Sequence, residues 1–294
     1  MPTPLPPDRM YPGGVPEVRA RFIELSSGIR TRIAVAGPDH GRPVVLLHGW
    51  AASLYLYRHG LERLSAQGLR AIAVDLRGFG LTDKPRERGG YSIDAYCADL
   101  DALLDALRLP HATFVGQSMG GGLLLRYAQR RAERVRGIAL INPSGLVPIP
   151  LLALGRVFPR RIVAALDKRL MPRWAVRGVL RRLAYADPDR TTERDVDEYW
   201  APTQLDGFVA AARSALSEFD WRPLTQREAA ALKVPSVVIL GREDRLVRDA
   251  AAAARRLAGS TLHVLDGGHC VNEELPDAAY EIIGSFCRSV SSRS

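Results

Sequence analysis

The sequence predicts an α/β protein with a mostly parallel sheet and helices on both of its faces. Short apolar runs rich in Val, Ile and Leu alternate with helical patterns along most of the 294 residues. Strands that are apolar on both sides need cover on both sides, and helical crossovers provide it in parallel sheets. Residues 146–233 carry helical patterns without a convincing strand and are too long for an ordinary connection. We therefore expect a helical cap inserted into an α/β core.

Eight runs have the length and the β-branched content of strands. They are RFIEL (21–25), TRIAVA (31–36), PVVLLH (43–48), RAIAVD (70–75), ATFVG (112–116), GIALIN (137–142), PSVVIL (235–240) and TLHVL (261–265). The clearest helix between them begins after Ser92, whose hydroxyl is a suitable N-cap. Ile93, Tyr96 and Leu100 then follow at helical spacing along one apolar face. These elements predict an eight-stranded sheet with helical connections.

The chain divides into three parts by its composition and pattern. Residues 1–19 are rich in proline and lack the apolar segment of a signal peptide, so we expect a flexible leader. Residues 20–145 and 234–294 are expected to form the core, and residues 146–233 the cap. The longest apolar run, at 146–154, contains two prolines. It is also shorter than the roughly 20 residues of a membrane span, so we expect no integral membrane segment.

The charge and the cysteines narrow the class of protein further. The formal net charge is +9, but the basic residues are interleaved with acidic ones and form no nucleic-acid-binding motif. We expect a solvated arginine surface and no nucleic-acid partner. Cys97, Cys270 and Cys287 form neither a paired framework nor a CxxC metal motif, which suits a reducing compartment. We expect a cytoplasmic monomer or homodimer.

The segment Gly116-Gln117-Ser118-Met119-Gly120 follows an expected strand and precedes a helical pattern. This is the context of a nucleophile elbow, in which a tight turn lifts a serine hydroxyl above the sheet. Side chains two residues before and after the serine would collide, which explains Gly116 and Gly120. The N-terminus of the following helix favours a developing negative charge. Ser118 is therefore the candidate nucleophile.

A serine hydroxyl needs a base, and the base needs an acid that orients it. His269 follows the last expected strand in a loop with two glycines, and Asp244 follows the strand before it. The chain order Ser, Asp, His is the one that this arrangement of strands delivers. Glu243 is the rival acid, and His263 lies inside the last strand, where we expect it to pack in the core. We prefer Asp244 as the acid and His269 as the base.

Acyl transfer also needs two N–H donors for the oxyanion of the intermediate. The residue after the nucleophile supplies one, which here is Met119. The strand at 43–48 ends at His48-Gly49, so the backbone N–H of Trp50 is the natural second donor. The indole of Trp50 is also expected to line the acyl pocket.

Five segments together resemble the α/β-hydrolase superfamily, and the resemblance covers about residues 20–290. They are HGW (48–50), DLRGFGLTDKP (75–85), GQSMGG (116–121), GREDRLV (241–247) and GGHCVNEELP (267–276). The resemblance implies a nucleophile, an acid, a base and two oxyanion donors, which are respectively Ser118, Asp244, His269 and the amides of Trp50 and Met119. It implies no metal and no organic cofactor.

Departures from particular branches of the superfamily limit the reaction. Ser118 stands where related dehalogenases and epoxide hydrolases have aspartate, and neither the HGGG loop of one esterase branch nor a GGSWG elbow is present. Three enzymatic interpretations remain. They are a carboxylesterase or lactonase, a cofactor-free perhydrolase, and a hydrolase of carbon–carbon bonds in ring-cleavage products. A small-molecule receptor on the same fold is the non-enzymatic alternative.

Among these we favour hydrolysis of small-molecule esters with small to medium, largely apolar acyl groups. The cap begins with an apolar segment, and the residues expected to line the pocket are Trp50, Phe158, Trp174 and Trp200. Carbon–carbon hydrolases usually have asparagine before the serine and tryptophan after the histidine, whereas this chain has Gln117 and Cys270. Cap arginines that would bind a substrate carboxylate in that alternative are Arg160, Arg173 and Arg177.

Overall fold

The computed structural model describes residues 3–150 and 171–290. Eight strands in these residues form one sheet with the order β1-β2-β4-β3-β5-β6-β7-β8. They are β1 (Arg19–Glu24), β2 (Arg30–Ala36), β3 (Arg42–Leu47), β4 (Leu69–Val74), β5 (Ala112–Gln117), β6 (Val135–Ile141), β7 (Ser236–Gly241) and β8 (Ser260–Leu265). Strand β2 is antiparallel to β1 and β4, and the other neighbouring pairs are parallel. The prediction of a mostly parallel eight-stranded sheet is confirmed.

Helices connect the strands on the described part of the chain. They are α1 (Arg58–Ala66), α2 (Ile93–Ala106), α3 (Met119–Arg130), α4 (Arg173–Val179), α5 (Glu193–Trp200), α6 (Phe208–Glu218), α7 (Gln226–Ala230), α8 (Ala251–Ala254), α9 (Val271–Glu274) and α10 (Pro276–Val290). The hydroxyl of Ser92 accepts the N–H of Ala95, so α2 begins where the sequence predicts. None of these helices, within residues 3–150 and 171–290, has the length and apolar content of a membrane span.

The two faces of the sheet bury separate apolar clusters. On β3, Val45 and Leu47 belong to the cluster that includes α2 and α3, whereas Val44 and Leu46 belong to the cluster that includes α1 and α10. Successive side chains of a strand point to opposite faces, so both faces of a doubly covered sheet need apolar residues. This explains why the strands appear in the sequence as continuous apolar runs.

The edge strand β8 departs from this pattern. None of its side chains is fully buried, and His263 is exposed. The expectation that His263 packs in the core is therefore wrong, because β8 is the last strand of the sheet.

The described part of the expected cap, residues 171–233, consists of α4 to α7 and their connections and contains no strand. Helix α6 joins the apolar cluster on one face of the sheet through Phe208 and Leu216, and α5 joins the other through Val196 and Trp200. Residues 151–170 lie outside the described residues. The limits 146–233 stay a prediction.

The N-terminal segment differs from the flexible leader that the sequence predicts. Met10 and Tyr11 are buried, and the N–H of Tyr11 donates to the carboxylate of Glu198 in α5 at 2.8 Å. The guanidinium of Arg32 donates to the carbonyl oxygen of Tyr11 at 3.0 Å. Glu198 is a buried carboxylate, which needs donors to offset its desolvation. Residues 10–11 therefore pack against the folded chain.

Candidate active site

Ser118 lies on the turn between β5 and α3 in a conformation that is unusual for a residue with a side chain. Its φ is 50° and its ψ is −114°. Such backbone strain persists only where surrounding contacts hold it. The N–H of Ser118 donates to Ile141 at 3.0 Å, and its carbonyl oxygen accepts the N–H of Ser144 at 3.0 Å and the hydroxyl of the same residue at 3.2 Å. The end of β6 and the turn after it hold the Ser118 turn in place.

The two glycines of the turn are required by space. A Cβ added at Gly116 would lie 2.6 Å from the backbone carbonyl of Gly120. A Cβ added at Gly120 would collide with the backbone carbonyl of Leu47. The turn therefore has the steric character that the sequence predicts for it.

Asp244 and His269 form a buried hydrogen-bonded pair. Nδ1 of His269 lies 2.8 Å from Oδ2 of Asp244, and both side chains are buried. Oδ1 of Asp244 accepts the backbone N–H groups of Leu246 at 2.7 Å and Val247 at 3.0 Å. Burial alone would raise the pKa of Asp244, but the facing ring and these donors bring it below its usual value. An ionised Asp244 favours the ring tautomer with hydrogen on Nδ1, which leaves Nε2 to accept a proton. The rival Glu243 is exposed.

Gln117 joins the loop of His269 to the turn of Ser118. Its side-chain N–H donates to the carbonyl oxygen of His269 at 3.1 Å. Because Gln117 immediately precedes Ser118, this bond brings the candidate nucleophile and base to the same edge of the sheet.

Residues 184–186, in the expected cap, pack directly on the loop of His269, residues 266–270, which is called the base loop below. The carboxylate of Glu274 accepts the N–H of Gly268 at 2.6 Å and the N–H of Ala186 at 2.8 Å. The N–H of Cys270 donates to the carbonyl oxygen of Ala184 at 2.9 Å. The segment before α5 and the base loop are therefore joined by one shared carboxylate and by one backbone hydrogen bond.

The candidate oxyanion donors lie close to Ser118. Met119 is the first residue of α3, so its N–H has no acceptor within the helix. A Cβ added at Gly49 would lie 3.1 Å from Cβ of Ser118, which places the turn before Trp50 against the serine. His48 supports this turn: its Nε2 accepts the N–H of Leu76 at 2.9 Å, so its Nδ1 carries the hydrogen donated to Gly49 at 2.7 Å. Burial lowers the pKa of His48, which keeps this tautomer neutral.

The aromatic residues expected to line a pocket have different environments. Trp174 is 75% exposed. Trp200 is buried, and its indole N–H donates to the carbonyl oxygen of Met171 at 2.9 Å, so it bonds α5 to the segment before α4. The indole N–H of Trp50 donates to Ala212 in α6 at 2.8 Å. Phe158 lies outside the described residues. Within residues 3–150 and 171–290, none of the three candidates Trp50, Trp174 and Trp200 has a contact that assigns it to an acyl pocket.

No cysteine in the described residues offers a rival nucleophile. Cys97, Cys270 and Cys287 are buried. Burial raises the pKa of Cys97 to about 11 and that of Cys287 to about 12. It also raises the pKa of Cys270, which follows His269 directly. Thiols in such surroundings are poorly ionised and unreactive. Among residues 3–150 and 171–290, no group of three or more His, Cys, Asp or Glu side chains is arranged to hold a metal ion.

The sequence analysis assigned no role at the site to three polar residues that the structure places around it. Gln117 and Glu274 contact the base loop as described, and Asn142 contacts it from the end of β6. The only local signal for Asn142 was a polar residue at the end of an apolar strand.

Comparison with known proteins identifies the family. The family model described as the alpha/beta hydrolase fold matches residues 42–276. The chain therefore belongs to the α/β-hydrolase family.

Curated relatives of this chain have several different names. The AB hydrolase superfamily protein YisY of Bacillus subtilis is 30% identical over 210 residues, which are 70% of this chain and 76% of that protein. The non-heme chloroperoxidase of Streptomyces lividans is 32% identical over 258 residues, which are 79% of this chain and 86% of that protein. The bifunctional epoxide hydrolase 2 of Mus musculus is 25% identical over 217 residues, and the match spans only 35% of its length.

Solved structures give the same family. The Cfl2 protein of Burkholderia cenocepacia superimposes with a TM-score of 0.80 at 25% identity, with 92% of this chain and 96% of that chain covered. The meta-cleavage product hydrolase CumD of Pseudomonas fluorescens superimposes with a TM-score of 0.75 at 26% identity, with 92% and 97% covered. The names of these relatives describe different reactions. The similarity therefore identifies the family, and a proposal about the substrate has to rest on the residues of the site.

Proposed function

We propose that this α/β hydrolase is a serine hydrolase that cleaves carboxylic esters of small to medium, largely apolar acyl groups through an acyl-enzyme. The observation that carries the proposal is the buried 2.8 Å contact between His269 and Asp244. The loop of His269 is bonded through Gln117 to the strained turn of Ser118. A serine on a nucleophile elbow, a histidine and a buried carboxylate are the parts that acyl transfer needs.

In the proposed mechanism, Nε2 of His269 takes the proton of Ser118 as Oγ attacks the ester carbonyl carbon. The carbonyl oxygen becomes an oxyanion, which the backbone N–H groups of Met119 and Trp50 bind. The intermediate collapses, the C–O bond breaks, and His269 returns the proton to the departing alcohol. A water molecule, deprotonated by His269, then attacks the carbonyl carbon of the acyl-enzyme. The bond from that carbon to Oγ of Ser118 breaks, the carboxylic acid leaves, and His269 returns the proton to Oγ. Asp244 stabilises the protonated ring throughout.

The arginines of α4 favour an ester over a carboxylated ring-cleavage product. Nε of Arg173 donates to Asp197 at 2.6 Å. Arg173 and Arg177 also donate to Glu193, at 2.8 Å and 2.7 Å. Guanidinium groups already paired with carboxylates are poor receptors for a substrate carboxylate. Arg160 is the third arginine that would bind a substrate carboxylate in a carbon–carbon hydrolase, and it lies outside the described residues.

A substrate panel tests the proposal. Nitrophenyl esters from acetate to laurate are assayed beside a dienoate ring-cleavage product, with Ser118→Ala as the control. We expect the highest kcat/KM for an ester and a loss on the order of 10⁴-fold in the variant. A dienoate that turned over more efficiently than the best ester would overturn the ester proposal. Repeated turnover also separates the enzyme from a receptor, which would process an ester only once or very slowly.

The 32% sequence identity to the non-heme chloroperoxidase of Streptomyces lividans favours cofactor-free perhydrolase activity as a second candidate function. In that reaction hydrogen peroxide replaces water: its oxygen attacks the acyl-enzyme, a peroxycarboxylic acid leaves, and the Ser118 hydroxyl is regenerated. Incubation with acetate and hydrogen peroxide, followed by detection of the peracid, tests this activity. Ester hydrolysis without Ser118-dependent peracid would exclude it.

A further inference from the structure

Asn142 lies directly after β6 and connects the two loops that follow β7 and β8. Its side chain is fully buried. Its Nδ2 donates to the carbonyl oxygen of Gly268 at 3.0 Å and to that of His269 at 2.9 Å. Its Oδ1 accepts the N–H of Gly241 at 2.8 Å. One amide therefore links the end of β7, which leads to Asp244, with the loop that carries His269.

The hydrogen-bonding groups of the Asn142 side chain all have partners. Both hydrogens of its amide and its oxygen have partners, and its backbone N–H donates to Ile239 at 2.9 Å. Its φ is 40°, a conformation that asparagine tolerates better than most residues with side chains. Buried polar groups whose bonds are all made specify one arrangement of the backbone around them.

The carbonyl oxygen of His269 accepts two side-chain amides. Asn142 donates from one side at 2.9 Å, and Gln117 donates at 3.1 Å. A carbonyl oxygen has two lone pairs, so these donors use its full capacity. They fix the backbone from which the imidazole projects. The same turn reaches the nucleophile, because Ser144 donates twice to the carbonyl oxygen of Ser118.

We infer that Asn142, with Gln117 as its partner, is a positioning residue for acyl transfer; this inference rests on the proposed function. Asn142 holds His269 in register with Asp244 and Ser118 and acts through the backbone of the base. A misplacement of about 1 Å at a catalytic group can lower a rate by about 100-fold. Loss of the amide should therefore slow the chemical step and leave substrate binding nearly unchanged.

Two variants of Asn142 and one matched control test the inference. Asn142→Ala removes the whole amide, and Asn142→Asp keeps the acceptor for Gly241 and loses both donors. The control is Asn272→Ala, because Asn272 is also fully buried. Its Nδ2 donates to the carbonyl oxygen of Leu56 at 3.2 Å and to the hydroxyl of Tyr280 at 3.3 Å. Neither partner belongs to the loops of Asp244 and His269.

With nitrophenyl acetate, we expect kcat to fall about 10- to 100-fold in both Asn142 variants while KM stays within about threefold. Asn272→Ala should lower the thermal midpoint and leave kcat nearly unchanged. An unchanged kcat in the Asn142 variants, or an equal loss of kcat in Asn272→Ala, would overturn the inference.

Gln117→Met covers the case in which the Asn142 variants do not fold, because it removes one of the two donors to His269. It should lower kcat and leave KM nearly unchanged, and an unchanged kcat would overturn the inference. Labelling of Ser118 by a fluorophosphonate separates this inference from the proposed function. A wild-type protein that is not labelled would overturn the proposed function. A wild-type protein that is labelled no faster than Asn142→Ala and Gln117→Met would overturn the inference alone.

Discussion

The indole N–H of Trp50 donates to the backbone carbonyl oxygen of Ala212 at 2.8 Å, so the turn after β3 is bonded to helix α6. The backbone N–H of Trp50 is the second donor of the proposed oxyanion hole. Phe79 of the core and Phe208 of α6 add an edge-to-face contact, with ring centroids 6.2 Å apart. We therefore expect the position of α6 to affect the geometry of the oxyanion hole.

Trp50→Phe should separate these two roles of Trp50. The variant keeps the backbone N–H and loses the bond to α6, which contributes about 1 kcal/mol to stability. We expect a stability loss of that size and a fall in kcat of about tenfold or less. Denaturant unfolding and turnover of a nitrophenyl ester measure the two effects. Trp221→Phe is the matched control, because the indole N–H of Trp221 donates to Ala215 of the same helix at 3.2 Å. An equal fall in kcat in the control would contradict a specific effect through Trp50.

Asp244 and Glu243 are adjacent in sequence but differ in environment, so their variants should differ in activity. Asp244→Asn replaces the acceptor of the His269 ring hydrogen and favours the wrong tautomer. We expect kcat/KM to fall about 10²- to 10⁴-fold, with the fold retained. Glu243 is exposed, and Glu243→Gln should keep nearly full activity. Ester hydrolysis by the two purified variants is the measurement, and the reverse result would assign the acid to Glu243.

A buried cluster of charges joins α1, α5 and α9 beside the base loop. The guanidinium of Arg58 in α1 pairs with Asp195 of α5 at 2.9 Å and with Glu273 of α9. Glu273 also accepts the hydroxyl of Tyr199 at 2.8 Å. Burial raises the pKa of Glu273, and Arg58 opposes that shift. Arg58 therefore compensates two carboxylates that have little access to water.

Arg58→Met should destabilise the protein strongly. Removing one partner of a buried ion pair costs about 3–5 kcal/mol, because the other charge stays buried without compensation. Arg63→Met is the control on the same helix, since Arg63 pairs with the exposed Asp277 at 2.8 Å. Exposed pairs contribute about 0–1 kcal/mol, so the control should lose little stability. Denaturant unfolding at neutral pH compares the two, and similar losses would contradict a structural role for the Arg58 cluster.

The sheet could be predicted because its signals are local. The apolar runs of β3 to β7 reflect burial on both faces, and Ser92 caps α2 through a contact three residues away. The juxtaposition of Asp244 and His269 was also predictable, because the C-terminal ends of neighbouring parallel strands lie at one edge of a sheet. Their positions after β7 and β8 were enough to bring them together.

The remaining features depend on partners that are distant in sequence. The backbone N–H and carbonyl oxygen of Tyr11 form hydrogen bonds with Glu198 and Arg32, respectively. No pattern in the Pro-rich segment predicts these contacts. The exposure of Trp174 depends on how α4 packs, which its own sequence does not determine. Asn142 acquires its contacts only when β6, β7 and β8 lie side by side. The environment of each of these residues depends on the tertiary structure and could not be predicted from the local sequence.

His59 in α1 should make stability depend on pH. Burial, together with the nearby Arg58 and Arg63, lowers its pKa to about 4, whereas an unfolded histidine titrates near about 6.5. Between these values the unfolded state binds a proton that the folded state does not, so stability rises with pH across this window. Wild-type protein should therefore lose stability as the pH falls from about 6.5 to about 4, and His59→Gln should lose less. Denaturant unfolding at several pH values measures the difference, with His40→Gln at an exposed position as the control. Parallel curves for wild type and His59→Gln would show that His59 is not held neutral in the fold.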